Sequence, residues 1–201
     1  MSNSTSMKES WGTTQTIVRI AHPERYSGLE RIMLAAQGDL QRLLSAFFAD
    51  IITVQLLYAT NTPRTTPASP SSPIIQTRKV ELKCRSVVVC TATSTVTLTS
   101  PECERLILDE GFAIGQTFRQ MGKVPEFELG NVEIGKVAGS MEGEEELRRT
   151  YTLMSPGIEC EILEVFSSRD MFVDGEESLK KKQDRVIRHW SPESDTSSSS
   201  D

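Results

Sequence analysis

Apolar and polar side chains alternate along residues 77–98, the longest run of strand-forming sequence in the chain. In its first half Arg78, Val80, Leu82 and Cys84 share one face of an extended backbone, while Lys79, Glu81, Lys83 and Arg85 share the other, wet one. The second half continues with Val88, Cys90, Ala92, Ser94, Val96 and Leu98 on one face and mostly Val and Thr on the other. Two long neighbouring strands of a mainly antiparallel sheet are the simplest reading. Arg78 ends the apolar row, and an inward guanidinium demands a partner because an unpaired buried charge is costly.

The pattern elsewhere supplies the helices and the other strands. Leu29, Ile32, Met33 and Leu34 open the folded part. In LQRLLSAFFADI, Leu40, Leu43, Leu44, Phe47 and Phe48 recur at helical spacing, with Asp39 placed to cap that helix. Val54, Leu56 and Tyr58 alternate with polar neighbours as a first strand. Residues 61–72, NTPRTTPASPSS, predict a flexible insertion, since prolines and hydroxyl residues cannot form a packed element alone. Ser100-Pro101 predicts a helix start that Gly111 stops; residues 114–118 predict a second short helix, and 127–134 a further strand.

Residues 147–166 predict a hairpin, with Ser155-Pro156-Gly157 supplying Pro then Gly for a type II turn. Arg149, Tyr151 and Leu153 share a face of the first arm, and Ile158, Cys160, Ile162, Glu164 and Phe166 share one on the second. Arg78, Arg149 and Glu164 are therefore three charges on apolar faces, a pattern that core stability alone explains poorly.

Composition sets the bounds. The 201 residues, 37% of them apolar, suffice for one well-buried core and fall short of two domains. We expect a polar arm at 1–16, a domain at 17–173 interrupted by the 61–72 loop, and a charged, Ser-rich tail at 174–201. A net charge of -6 argues against a general nucleic-acid or anionic-membrane binder. The four cysteines lack a CxxC pair, and the start lacks a basic-then-apolar signal, which predicts reduced thiols in a cytoplasmic protein. The apolar run at 43–58 is broken by Asp50 and is too short for a membrane anchor.

The succession GDLQRLL, RKVELK, ATSTV, GFAIGQTF, LRRTYTL and ILEVF resembles the chorismate lyases, which split chorismate into 4-hydroxybenzoate and pyruvate. It is most similar to the branch with an A-x-S element, here Ala92-Thr93-Ser94, in the second central strand. The resemblance covers about residues 29–172. It implies an α+β domain: an antiparallel sheet of about six strands, helices on one side, and an internal ligand pocket beneath helical flaps. By the same resemblance Arg78 holds a substrate carboxylate and Glu164 serves the reacting end. Arg148, Arg149, Ser94, Ile114 and Gly115 would line the substrate site. Where family members commonly carry a small or hydroxyl residue and then Thr after the first helix motif's glycine, this chain has Asp39 and Leu40. Asp39 would repel a carboxylate if it faced the pocket and would be harmless as a helix cap.

Loss of the enolpyruvyl group as the ring becomes aromatic requires neither metal, nucleotide nor covalent nucleophile. Accordingly no cofactor and no metal is expected: the chain has no Gly-rich phosphate loop, no Ser-His-Asp order and no metal-ligand cluster. Arginines suit carboxylate binding, and a glutamate suits a hydrogen-bond acceptor or base near the ring hydroxyl and departing proton. The expectation is a monomeric or homodimeric lyase acting on chorismate or a related carboxylated ring. Other readings are a different biosynthetic enzyme of this fold, an isomerase or cyclase, and a non-catalytic ligand-binding module. A simpler account of Arg78 and Glu164 is a buried ion pair between them.

Overall fold

The computed structural model describes residues 20–137 and 143–181. The expected arm at 1–16 and the tail beyond residue 181 lie outside the described residues. Six strands, β1 (Ile52–Asn61), β2 (Ile74–Cys84), β3 (Val87–Leu98), β4 (Glu126–Lys136), β5 (Glu145–Ser155) and β6 (Ile158–Phe166), form one antiparallel sheet in the order β1-β2-β3-β6-β5-β4. Around it lie α1 (Gly28–Leu34), α2 (Leu40–Phe48), α3 (Pro101–Glu104), α4 (Ile114–Gln120) and α5 (Met171–Asp174). α3 runs on into a π-helical turn, Arg105–Asp109. This is the α+β domain expected, and no described helix is long and apolar enough to cross a membrane.

The alternation at 74–98 folds as read: Arg78 pairs with Ser94 and Val80 with Ala92 across β2 and β3. One detail differs. Pairing passes from Leu82 with Cys90 directly to Lys83 with Val88, so Val89 is an extra, buried residue and Val88 falls on the outer face beside Lys83. The β5–β6 hairpin turns at Pro156-Gly157, where Gly157 takes a φ of 94°. Ser100 caps α3 by accepting the Cys103 amide, with Pro101 in the first turn, as the sequence predicts.

The helical side of the sheet carries two apolar clusters. In the first, Leu82, Cys90, Leu147 and Phe166 of the sheet meet Leu34 of α1, Leu44 and Phe48 of α2 and Phe172 of α5. In the second, Val96, Leu98, Leu153 and Cys160 meet Cys103, Ile107 and Phe118. The opposite face is polar, with Thr91, Thr93, Thr95 and Thr97 along β3 and Glu159 and Glu161 beside them on β6.

Three expectations are corrected. Asp39 precedes α2 but does not cap it through its side chain: the residue sits in the left-handed region at φ 57°, and its carboxylate instead pairs with Arg42 at 3.1 Å and Arg119 at 2.9 Å. The 61–72 segment is not a free insertion. Asn61 ends β1, Ala68 is only 1% exposed, Ser69 and Ser72 form a bridge, and Arg64 pairs with Glu104 and Asp109, each at 2.7 Å. Prolines deny the loop a ladder, but the Glu104 carboxylate supplies the missing partner by accepting the Ala68 amide at 2.8 Å. Finally, the fold continues past residue 173: Leu179 is 4% exposed and belongs to the first cluster.

Candidate functional site

The inner-face register sets the site. Across β2, β3, β6 and β5 one row reads Arg78, Ser94, Ile162, Tyr151, and the next Val80, Ala92, Glu164, Arg149. The rows on either side of these belong to the two apolar clusters, apart from Gln76 at the β2 end of one of them. A band of polar side chains thus lies between two hydrophobic halves. It is where strand alternation places the three charges on apolar faces.

The structure pairs them differently from the simpler account. Glu164 joins Arg149, not Arg78: Arg149 Nε donates to Glu164 Oε2 at 2.7 Å, and Tyr151 Oη donates to Glu164 Oε1 at 2.8 Å. Arg149 is 0% exposed. Its Nη1 donates to the carbonyl oxygens of Met33, Leu34 and Ala36 at 2.7, 2.9 and 2.8 Å, and its guanidinium carbon lies 4.7 Å from the centre of the Tyr151 ring. Arg149 therefore fastens the C-terminal end of α1, where helix carbonyls lack internal partners, to the sheet. Burial acts most strongly on Arg149 and would lower its pKa, but the charge and hydrogen bond of Glu164, together with Tyr151 and Cys90, raise it. Burial, with the Glu164 charge second, pushes the Tyr151 phenol well up and keeps it a donor.

Arg78 has no such partner. It is half-buried; among the described residues its guanidinium makes one hydrogen bond, a long one of 3.5 Å from Nη1 to the Phe112 carbonyl, and no described carboxylate pairs with it. Burial pulls its pKa down and outweighs the opposing influence of the nearby Cys160 thiol. Arg78 and Glu164 stand two strands and two residues apart, about 12 Å between Cα atoms by ordinary sheet spacing. Buried Ser94 lies between them, beside Arg78.

The remaining predicted residues scatter. Arg148 lies on the outer face, opposite Glu133 and Val165, and is engaged by Glu146 through Nε at 2.6 Å. Adjacent strand residues point to opposite faces, so Arg148 and Arg149 cannot line one pocket. Ile114 opens α4 and packs against the second cluster. At Gly115 an added Cβ would meet only Arg119 Nη1 at 3.9 Å, so steric room does not demand glycine there. Asp39 is partly exposed, and its bond to Arg119 ties the start of α2 to α4.

Tyr151 and Gln76 were not assigned from the sequence. Tyr151 was visible on the Arg149 face, but a tyrosine in an apolar row reads as packing until its hydroxyl partner is known. Gln76 carried a signal: it continues the inward row one step before Arg78 and is polar. A hollow of about 390 Å³ on the opposite face, over Thr93, Thr95, Thr150, Thr152, Glu161 and Leu163, offers an anion no cation. No protein-family model matches the chain, and no curated protein is significantly similar to it.

Proposed function

We propose that the chain binds a small carboxylated ring compound in the polar band and acts on it as a carbon–oxygen lyase, with chorismate the first candidate. The observation that carries the binding step is Arg78, an inward, half-buried guanidinium without a carboxylate partner among the described residues. A cation so placed is better satisfied by an anionic ligand than by protein, because charge-assisted bonds to a carboxylate offset its desolvation. Ser94 is placed to add a hydrogen bond beside it.

The lyase step follows from the resemblance and from what the far pole offers. The C–O bond to the enolpyruvyl group breaks with its electrons going to oxygen, the neighbouring ring carbon loses its proton, and the ring becomes aromatic. The released enolpyruvate takes a proton on carbon to give pyruvate. Glu164 already accepts from Arg149 and Tyr151. With its charge offset, it suits accepting a hydrogen bond from a ring hydroxyl better than removing a proton outright. That same saturation favours a second reading, a ligand-binding module without turnover.

Two measurements test this. Incubation with chorismate, followed by coupled reduction of released pyruvate, separates a lyase from a binding module or an isomerase. Calorimetry with chorismate and 4-hydroxybenzoate tests binding. Arg78→Ala should weaken binding by roughly 2–5 kcal/mol, the usual loss when one partner of a buried charged hydrogen bond is removed. Equal binding by Arg78→Ala and the parent would end the proposal for this site.

A further inference from the structure

Gln76 stands two residues before Arg78 on the same inward face of β2, opposite Val96 of β3 and in one row with Cys160 of β6. It is 6% exposed, and its Oε1 is fully buried with no hydrogen-bond partner. Its neighbours along that face and across β1 and β3 are Ile74, Arg78, Asn61 and Val96; the Asn61 amide donates to the Thr62 carbonyl instead, and no bond from Arg78 forms. A buried carbonyl left without a donor is destabilising, and leucine at this position would pack without that cost. Arg78 is the next residue along that face, and its guanidinium makes only the long bond to the Phe112 carbonyl among the described residues. A cation with no described carboxylate partner and an acceptor with no described donor therefore stand two residues apart on one face, at the end of the polar band away from Glu164.

We propose that Gln76 is a specificity-determining residue of this site, its carbonyl accepting a hydrogen bond from a hydroxyl or amino group on the ring close to the carboxylate that Arg78 holds. The proposal rests on the reading of Arg78 as the ligand's carboxylate receptor and narrows the ligand class. Chorismate, with its hydroxyl at the pole opposite the carboxylate, would leave Gln76 unsatisfied. A ring carboxylate carrying a donor at the 2- or 3-position would satisfy both groups at once. The selectivity arises because a ligand without that donor takes the place of any water and leaves the acceptor buried and bare.

The test is a calorimetric comparison of benzoate, 4-hydroxybenzoate, 3-hydroxybenzoate and 2-aminobenzoate on the full chain, its Gln76→Leu variant and its Arg78→Ala variant. The parent should bind 3-hydroxybenzoate or 2-aminobenzoate about tenfold or more tighter than benzoate. Gln76→Leu should bring the four within about threefold of one another, with benzoate held at least as tightly as before and an unchanged or raised melting temperature. If Gln76→Leu fails to fold, Gln76→Met supplies the same comparison. Probes that bind through Arg78 with no preference in the parent, or a preference that survives in Gln76→Leu, would overturn the role of Gln76 while leaving the Arg78 reading intact. A parent preference for 3-carboxybenzoate would mean that the amide presents its NH₂ group inward, and would overturn it too. Absence of binding by every probe would remove the Arg78 reading and this inference together.

Discussion

Arg149 shows how much one side chain can join. Its guanidinium links Glu164 of β6 to three carbonyls following and ending α1, more than a hundred residues away in sequence. Arg149→Met should therefore lower stability by about 3–5 kcal/mol in denaturant titration, because Glu164 is left buried and uncompensated. Glu164→Gln should also destabilise, and the double variant should recover part of the loss. Full additivity would show that the two act independently. A second buried acid, Glu30, is held by Arg169 at 2.6 Å and by the Ser27 capping box. Although burial opposes it, the Arg169 and Ser27 hydrogen bonds bring its pKa below the ordinary range. A carboxyl with a lowered folded pKa stabilises fully above its unfolded value and loses that contribution as pH falls through the folded one. Melting temperature should thus fall below about pH 4, and less steeply in Glu30→Gln. At this scale the sequence revealed that Arg78, Arg149 and Glu164 point inward, since alternation fixes a face. It could not reveal which pairs form, since the partners are set by strand order and by backbone carbonyls common to every sequence.

Elements were legible where a local signal had a local cause. The Ser100-Pro101 start of α3 and the Pro156-Gly157 turn depend on neighbouring residues, and both formed as read. They also meet: a Cβ on Gly157 would sit 2.6 Å from the Ser100 hydroxyl oxygen. Gly157→Ala, strained by φ as well as by contact, should cost about 1–3 kcal/mol in thermal unfolding. The α2 start failed as a cap because the left-handed backbone at Asp39 turns its carboxylate toward Arg42 and Arg119. The proline-rich loop reads as free in the sequence because its anchor, Glu104, lies 36 residues beyond Ala68 on another element. Glu104→Ala should free the segment, seen as faster tryptic cleavage after Arg64. Unchanged cleavage would show that Ala68 packing alone holds it.

For the whole molecule, the strands of an antiparallel sheet are legible from periodicity, and the count of about six with helices on one side is what the resemblance implies, while the division of the core into two clusters is in neither. The first cluster gathers α1, α2 and α5 from distant parts of the chain, and the second sets residues 101–120 against strands far from them in sequence, so no single segment carries that pattern. The C-terminal limit is also hard to read, since a charged stretch hides an apolar residue, Leu179, that docks. A chain ending at residue 173 should therefore melt below one ending at 181. A like melting temperature for the two would show that Leu179 contributes no stability.

The four cysteines are all buried, and they divide evenly: Cys84 and Cys90 in the first cluster, Cys103 and Cys160 in the second. Burial pushes the Cys90 thiol well up and the Cys160 thiol to about 12, so neither reacts as thiolate while its half stays closed. The protein thus carries native reporters of its own opening in both halves. Because β3 and β6 run through both clusters, pulsed alkylation read by mass spectrometry should find all four thiols labelled at one common rate. Faster labelling of one pair would identify the half that opens alone, and slowing of that pair by a ring carboxylate would time the passage of ligand into the sheet's interior.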